Sequence, residues 1–309
     1  MDQPTSTASS AAGSARDEHY GVGVAMVLTA GFCLSLGGVL LRLLDSAGGW
    51  QVMFYRSIIF ALTILVVVAL RNRGRVAGAF RSIGRAGLVA GAISGASSIC
   101  YIFALLTTTV ANTMFIISIT PLCTALLAWA ALGERPRLAT WLAIAAAVGG
   151  IAPMFAHGVT EARLMGSLLA FGAALGLAAM IVIIRRAKAV DMLPAQCVSG
   201  VVAALVAAFM VESFAVTAHD FGLLALLGVV QIGAGFSLIT LGARYVPAAQ
   251  VSLLALSEMV LAPLWVWLAV DEAPAMLTLA GGAVVLVAVV GQALAGLRHE
   301  RAQRLAQSA

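Results

Sequence analysis

The sequence predicts an all-α membrane protein with ten transmembrane helices, arranged as two inverted five-helix repeats. Three observations predict this fold: the composition, ten apolar runs long enough to cross a bilayer, and an alternating charge pattern in the connecting segments. Of the 309 residues, 62% are hydrophobic and only 10% are charged, whereas about 25% are charged in an ordinary soluble domain. A soluble fold of this length could not bury so much apolar surface, but a bilayer accepts it on every side.

The same composition argues against several classes of function. The net charge is +5, but the basic residues form short clusters between apolar runs rather than the continuous basic face of a nucleic-acid-binding protein. The four cysteines lie in apolar runs without a CxxC pattern and the four histidines are scattered, so we expect no metal site and no cofactor. No Gly-rich phosphate loop is followed by Lys and Ser or Thr, which argues against ATP-driven transport within this chain.

Ten spans can be placed with a simple length criterion. Residues 1–18 are small and polar, which predicts a short disordered tail. A helix needs about twenty apolar residues to cross a bilayer. Spans 1 to 10, numbered in chain order, are therefore predicted at 21–43, 50–70, 87–106, 109–132, 138–155, 166–184, 195–212, 221–241, 247–270 and 276–296.

Loop charge predicts the orientation, because cytoplasmic loops are enriched in Lys and Arg. Fifteen of the eighteen basic residues lie in the N-terminal tail or in segments that follow an even-numbered span. Only Arg42 and Arg163 fall on the opposite side, and Arg56 lies within span 2. This asymmetry places both termini in the cytoplasm. The preference for Arg over Lys, together with the Ala and Gly content, suggests a GC-rich bacterial genome. For a multi-pass protein of a bacterium, we expect the inner membrane as its location.

Two halves of the chain resemble each other. Segment 107–136 aligns without a gap with segment 245–274, and each segment ends in an acid, one further residue and a proline. The predicted repeats cover 19–156 and 164–297, followed by a cytoplasmic tail at 298–309. Because each repeat has an odd number of spans, the second enters the membrane in the opposite orientation. Inverted repeats recur in transporters, where the substrate binds near the midplane between the halves.

Three short motifs resemble those of a known family. They are Phe54-Tyr55-Arg56 in span 2, Thr120-Pro121 with Leu132-Gly133-Glu134 in span 4, and Ser257-Glu258 in span 9. From about 20 to 297, the chain resembles the ten-helix EamA-type members of the drug/metabolite transporter superfamily. It departs from their pattern at Met259, where proline is expected and the nearest proline is Pro263. The resemblance implies transport of a small solute and favours export over uptake.

Two charged residues inside the spans are the first candidates for a substrate site, because a charge in a bilayer is costly. Arg56 could bind a carboxylate or phosphate of the substrate, or it could extend its charge to the membrane surface or pair with an acid. Glu258 could bind a cationic group or exchange a proton. It could instead form a structural ion pair with Arg56 or a hydrogen bond between helices.

Uncharged polar and aromatic residues extend this candidate site. On span 3 polar side chains repeat at helical spacing along one face, and spans 4 and 9 carry polar groups at positions that the alignment of the two segments relates. Ordinary hydrogen bonds between helices would explain the same pattern. The remaining candidates for substrate binding are Ser97, Tyr101, Asn112, Thr120, Gln250, Ser257 and Trp265.

These observations together predict a secondary transporter rather than an enzyme. We expect it to move a small metabolite, amino acid or drug-like solute across the inner membrane by alternating access, and to export it. Its expected partners are that solute, membrane lipids and, if Glu258 couples transport, protons; no nucleic acid is expected. The alternatives are an uptake transporter of the same family, a membrane enzyme acting on a lipid, and a sensor or assembly subunit without transport activity. The sequence does not predict the oligomeric state.

Overall fold

A computed structural model of the protein describes residues 6–136, 138–156, 161–187, 192–246 and 248–308. Within these ranges every regular element is helical. The helices are Ser6–Ser35, Gly37–Arg42, Gly49–Arg71, Val76–Ser82, Gly84–Thr107, Val110–Ile117, Thr120–Leu132, Leu138–Ala156, Glu161–Arg186, Met192–Met210, Ala218–Leu226, the π-helix Leu227–Ala234, Gly235–Gly242, Ala248–Ala255, Ser257–Val270 and Met276–Ser308.

The helices form the predicted spans. In the described part of the chain, eight helical segments are long and apolar enough to cross a membrane, and they lie at predicted spans 1 to 4 and 6 to 9. Two shorter apolar segments, Leu138–Gly150 and Met276–Gly291, lie at predicted spans 5 and 10. The prediction of an all-α membrane protein is confirmed.

The ends of the chain are more helical than predicted. The first helix begins at Ser6, so the prediction of a disordered tail over 1–18 is wrong for residues 6–18. Residues 1–5 lie outside the described ranges. The segment is rich in alanine, the best helix former, and extending an existing helix avoids the cost of nucleation. The last helix likewise continues to Ser308, through most of the predicted tail, and the predicted boundary between the repeats, at 157–163, lies mostly outside the described residues.

Span 4 is broken in the middle, at Ser118 and Ile119, between Val110–Ile117 and Thr120–Leu132. The break follows from Pro121, which has no N–H to donate to the carbonyl four residues earlier. That carbonyl belongs to Ile117, and the Thr120 hydroxyl donates to it over 2.6 Å. A side chain thus replaces the backbone donor that proline removes.

Span 9 is broken at Leu256, between Ala248–Ala255 and Ser257–Val270. Because Met259 stands where the family pattern has proline, this break arises in another way. The Ser257 hydroxyl donates to the Leu254 carbonyl over 2.7 Å, and the Met259 N–H donates to the Leu256 carbonyl three residues back over 3.0 Å. Leu256 aligns with Ser118 in the repeat, so the two halves are broken at equivalent positions.

Spans 4 and 9 also end in the same way. Gly133 and Asp271, which align in the repeat, both adopt the left-handed conformation, with φ of 73° and 54°. Each N–H donates to a tryptophan carbonyl four residues earlier, over 3.1 and 3.2 Å. A left-handed residue is a common helix terminator, and here it turns the chain so that Glu134 and Glu272 follow each helix directly.

The two halves interlock rather than lie side by side. Span 3 packs on spans 6 and 7, and correspondingly span 8 packs on spans 1 and 2. Gly91 and Gly95 permit the contact between spans 3 and 7, because a Cβ atom there would lie 2.6 Å from the Ala195 carbonyl oxygen and 2.8 Å from that of Ser199. Small residues four apart commonly allow such close approach of membrane helices. The interior of the protein is therefore an interface between the halves.

Candidate functional site

A cavity of about 130 Å³ lies at this interface. Spans 1 to 4 and 6 to 9 all contribute to its wall, so both halves line it. The lining residues are Leu34, Arg56, Ser94, Ser97, Ser98, Tyr101, Met114, Ile117, Leu177, Gln196, Ser199, Gln231, Ile232, Phe236, Glu258 and Met259. Four predicted site residues, Arg56, Ser97, Tyr101 and Glu258, are among them.

Arg56 places a deeply buried cation in the wall, at 2% exposure. Its Nη1 donates to the Ser98 hydroxyl over 3.0 Å and its Nη2 to the Gln231 amide oxygen over 3.4 Å. Its Nε has no hydrogen-bond partner among the described residues. The guanidinium lies over the Tyr101 ring, 6.0 Å from the centroid. Because neutral groups alone bond to this cation in the described part of the chain, it retains the capacity to bind an anion.

Gln231 is positioned by the π-helix Leu227–Ala234 in the middle of span 8. Its side-chain nitrogen donates to the Leu34 carbonyl of span 1 over 3.2 Å. That bond directs the amide oxygen towards Arg56. Short π-helical segments often occur at functional sites, and this one joins spans 1, 2 and 8 through a single side chain.

Glu258 lines the same cavity as Arg56, at the second position of the helix Ser257–Val270. The N-terminus of a helix favours a negative charge, so the break at Leu256 provides a suitable place for this carboxylate inside the span. No hydrogen bond or ion pair joins its side chain to any described residue. The two charges therefore face one cavity without pairing with each other.

Serine residues of span 3 form part of the wall and also connect helices. The Ser199 hydroxyl donates to Ser94, and Ser94 donates to the Gln196 amide oxygen, over 3.1 and 3.4 Å. The Ser97 hydroxyl donates to the Ala173 carbonyl of span 6 over 2.8 Å. The predicted polar face of span 3 thus faces the cavity. Its hydroxyls also form hydrogen bonds to neighbouring helices, so both explanations of the polar pattern apply.

Two predicted residues of span 4 lie away from the cavity wall. The Asn112 amide donates to the Ser167 hydroxyl over 2.8 Å and joins spans 4 and 6. The Thr120 hydroxyl bonds to Ile117 at the helix break. Both side chains use their hydrogen-bonding capacity within the protein.

Three predicted residues of span 9 also lie outside the wall. Gln250 accepts a hydrogen bond from Tyr20 over 2.7 Å, near the start of span 1. Ser257 bonds within its own helix at the break. The Trp265 indole donates to the Ser35 hydroxyl over 2.9 Å. Substrate binding by these residues stays a prediction.

Outside the polar face of span 3, three polar residues of the wall, Gln196, Ser199 and Gln231, are not among the residues predicted from the sequence. The sequence does indicate the two glutamines, because they lie within apolar spans, where a polar side chain is costly unless it forms a hydrogen bond. Charge, the helical spacing of polar side chains and the alignment of the repeats predict the polar residues of the site. An isolated amide meets none of these three criteria.

Comparisons with known proteins agree with this architecture. Thirteen chains of solved structures match. One of them, titled "Crystal structure of protein", has a TM-score of 0.61 and 18% sequence identity, and the match covers 91% of this chain and 97% of that chain. At this identity the likeness shows the fold alone. A search of curated proteins finds no match.

The sequence itself matches a family model in both halves. The model describes the EamA-like transporter family and matches residues 21–156 and 164–293. These two segments cover most of the chain and all but the last few residues of the predicted spans, so the resemblance noted in the sequence is confirmed. Members of this family are transporters rather than enzymes. This chain is a polytopic membrane transporter of small solutes and belongs to the EamA-like transporter family.

Proposed function

We propose that the protein is a secondary transporter that exports a small polar metabolite by alternating access, with the cavity between the halves as its binding site. The observation that carries the proposal is the buried Arg56 guanidinium, which has neutral partners and an unpaired Nε in a cavity lined by both halves. A buried cation without a counter-charge is costly. A substrate anion would supply the missing charge during transport.

The arrangement of charges favours a substrate that carries both signs. Arg56 would bind a carboxylate, and Glu258 on the same wall would bind an ammonium group. The serine hydroxyls and the amides of Gln196 and Gln231 would bond to further polar atoms of the solute. A small zwitterion such as an amino acid satisfies both charges at once.

The volume of the cavity supports a small solute over a drug-sized one. The cavity holds about 130 Å³, whereas sites for drug-sized ligands enclose roughly 300–1,000 Å³. We therefore place a metabolite of few heavy atoms ahead of a drug-like compound.

Glu258 is also the proposed proton carrier. Its carboxylate lies inside the span, in the cavity, and has no ion-pair partner among the described residues, so it is free to change its protonation during the cycle. Glu258→Gln should then make export insensitive to a pH gradient. Export that is complete and still pH-dependent in this variant would rule out proton antiport through Glu258.

The proposed orientation and location rest on loop charge rather than on the cavity. We define the arginine-rich end of the molecule by the segments that follow spans 2, 4, 6 and 8, and the arginine-poor end by those that follow the odd-numbered spans. Cytoplasmic loops carry the excess of arginine. We therefore place the arginine-rich end and both termini in the cytoplasm of a bacterium, with the spans in its inner membrane.

A binding experiment with matched ligands tests the substrate class. The thermal stability of purified protein would be measured with amino acids, with their amides, which lack the carboxylate, and with their N-acetyl derivatives, which lack the ammonium group. A bound ligand at a hundred times its Kd stabilises the folded state by about 2.7 kcal/mol. Arg56→Gln should abolish the preference for the acid over the amide, and Glu258→Gln the preference for the free amine.

Arg81→Gln is the matched control, because this arginine is exposed on the short helix Val76–Ser82, outside the cavity wall. It should bind every ligand as the parent protein does. Ligands that stabilise the parent and both cavity variants equally would contradict the proposed site. Flux of a bound amino acid into or out of liposomes then tests transport, and its direction distinguishes export from uptake.

A further inference from the structure

An ion pair joins the two halves at the arginine-poor end. The Arg42 Nε lies 2.6 Å from the Glu272 Oε2, and the two side chains are 23% and 22% exposed. Arg42 ends the helix Gly37–Arg42 of span 1, and Glu272 follows the left-handed Asp271 at the end of span 9. The pair therefore connects the first span of one half with the loop after the fourth span of the other.

Further hydrogen bonds fix this pair to spans 3 and 4. Arg42 donates through Nη1 to the Leu105 carbonyl over 2.7 Å and through Nη2 to the Thr108 carbonyl over 3.0 Å. The second oxygen of Glu272 accepts from the Val110 N–H over 2.9 Å, at the start of span 4. One part-buried ion pair thus ties together the ends of four spans.

A second ion pair joins the halves at the arginine-rich end, in the equivalent place. The Arg185 Nη2 donates to both carboxylate oxygens of Glu134, over 3.1 and 3.0 Å. Arg185 is the second-last residue of the helix Glu161–Arg186, which forms span 6, the first span of the second half. Glu134 follows the left-handed Gly133 at the end of span 4. These side chains are more exposed, at 49% and 51%.

The inverted repeat relates the two pairs residue by residue. Glu134 and Glu272 occupy aligned positions of the segments 107–136 and 245–274. The family model matches segment 21–156, which contains Arg42, and segment 164–293, which contains Arg185. Counted from the first residue of its own segment, each arginine occupies the same position. Each pair consists of an arginine from one half and a glutamate from the other, and the two pairs lie at opposite ends of the protein.

We propose that these pairs are the two gates of the transport cycle, which rests on the proposed alternating access. The Arg42–Glu272 pair closes the cavity from the arginine-poor side, and the Arg185–Glu134 pair closes it from the arginine-rich side. The Arg185–Glu134 pair opens first, because it is the more exposed of the two. Opening to the arginine-poor side requires the Arg42–Glu272 pair to break. The two pairs then exchange roles as the halves move.

A second contact at the arginine-poor end supports its closure. Asp220, at the start of span 8, is fully buried and accepts from the Asp45 and Ser46 N–H groups over 2.9 and 3.1 Å. The Ser46 hydroxyl donates to the same carboxylate over 2.9 Å. These bonds hold the loop between spans 1 and 2 against the second half, next to the end of span 1 that carries Arg42.

The test measures access to the cavity and needs no substrate. Leu177→Cys would place a thiol on the wall, after replacement of the four native cysteines, and a membrane-impermeant maleimide would be added from one side of oriented vesicles. Glu272→Gln removes the charge but keeps an oxygen that can accept from Val110. In the Leu177→Cys protein, Glu272→Gln should make labelling from the arginine-poor side about tenfold faster, which corresponds to about 1.4 kcal/mol. A separate Glu212→Cys protein, labelled in the segment that follows span 7, identifies that side of the vesicles.

Glu134→Gln should accelerate labelling from the other side instead, by about two- to fivefold, because exposed ion pairs contribute less. Arg163→Gln is the matched control on the arginine-poor side, since Arg163 is exposed, and it should label at the parent rate. Labelling of the Glu272→Gln protein at the parent rate, or equal acceleration from both sides, would overturn the proposed gates. Arg42→Gln provides a second variant if Glu272→Gln fails to fold. A protein that shows this labelling pattern but moves no solute in liposomes would overturn the proposed function instead.

Discussion

At the scale of the residue, replacing Arg56 distinguishes a role in ligand binding from a role in stabilising the fold. Removing one partner of a buried ion pair costs about 3–5 kcal/mol, but the described partners of Arg56 are the neutral Ser98 and Gln231. Arg56→Met should therefore change the free energy of unfolding by less than about 1 kcal/mol, because the lost hydrogen bonds are offset by removal of a desolvated charge. The same variant should lose ligand binding.

Chemical denaturation in detergent measures the first quantity and the ligand-induced thermal shift the second. Arg81→Met serves as the control and should leave both unchanged. A loss of roughly 3 kcal/mol or more in Arg56→Met, the cost expected for a broken buried pair, with ligand binding retained at low temperature, would assign the arginine to folding.

The chemistry of single residues predicts the two charged residues of the cavity wall, but it does not predict which uncharged polar residues face the cavity. Arg56 and Glu258 stand out because a charge within an apolar span is rare and costly. Asn112 and Gln250 share this polarity, yet their bonds to Ser167 and Tyr20 depend on helix rotation and depth, which the spacing of residues along one helix does not define. Whether a polar side chain faces a cavity or a neighbouring helix is a property of the packing.

At the scale of the element, Gly91 shows which glycines the packing requires. A Cβ atom at this position would lie 2.6 Å from a backbone oxygen of span 7, which cannot move unless the helix moves. Gly91→Ala should therefore destabilise the protein by about 1–3 kcal/mol. Gly149→Ala is the control, because nothing lies within 4 Å of its added Cβ, and it should gain up to about 1 kcal/mol from helix propensity. Thermal melts of the two variants compare them directly; equal midpoints would contradict the packing argument.

The sequence predicts where the spans lie but not how each one is interrupted. Their positions follow from the length of apolar runs, which the thickness of the bilayer sets. The break in span 4 follows from Pro121. The break in span 9 has no proline, and it depends on the hydrogen bonds of Ser257 and Met259, which compete with regular helix only in the packed protein.

At the scale of the whole molecule, the loop charges define a testable topology. A reporter enzyme that is active only outside the cytoplasm should be inactive when it is fused after residue 309. The same reporter should be active when it is fused after Asp271 in a truncated chain. A fusion after Arg135 should be inactive, because it follows an even-numbered span. Activity after residue 309 would invert the proposed orientation or change the number of spans.

The repeat is visible in the sequence as two aligned segments, but the interlocking of the halves is not. The alignment relates Gly133 to Asp271 and Glu134 to Glu272 without indicating that each glutamate pairs with an arginine of the opposite half. That exchange depends on spans 1 and 6 crossing between the halves. Long-range contacts of this kind follow from topology rather than from local pattern.

The π-helix Leu227–Ala234 gives span 8 a tolerance for changes in length that regular helices lack. Span 8 has 25 residues, one more than the 24 of its counterpart, span 3. A π-helical turn absorbs one additional residue, whereas an extra residue in a regular α-helix rotates everything beyond it by about 100°. Deleting Val230 should therefore convert the turn to α-helix while both ends of the span keep their neighbours. The two halves thus differ locally in span 8, where the π-helix that accommodates the additional residue also carries Gln231, the hydrogen-bond acceptor of Arg56.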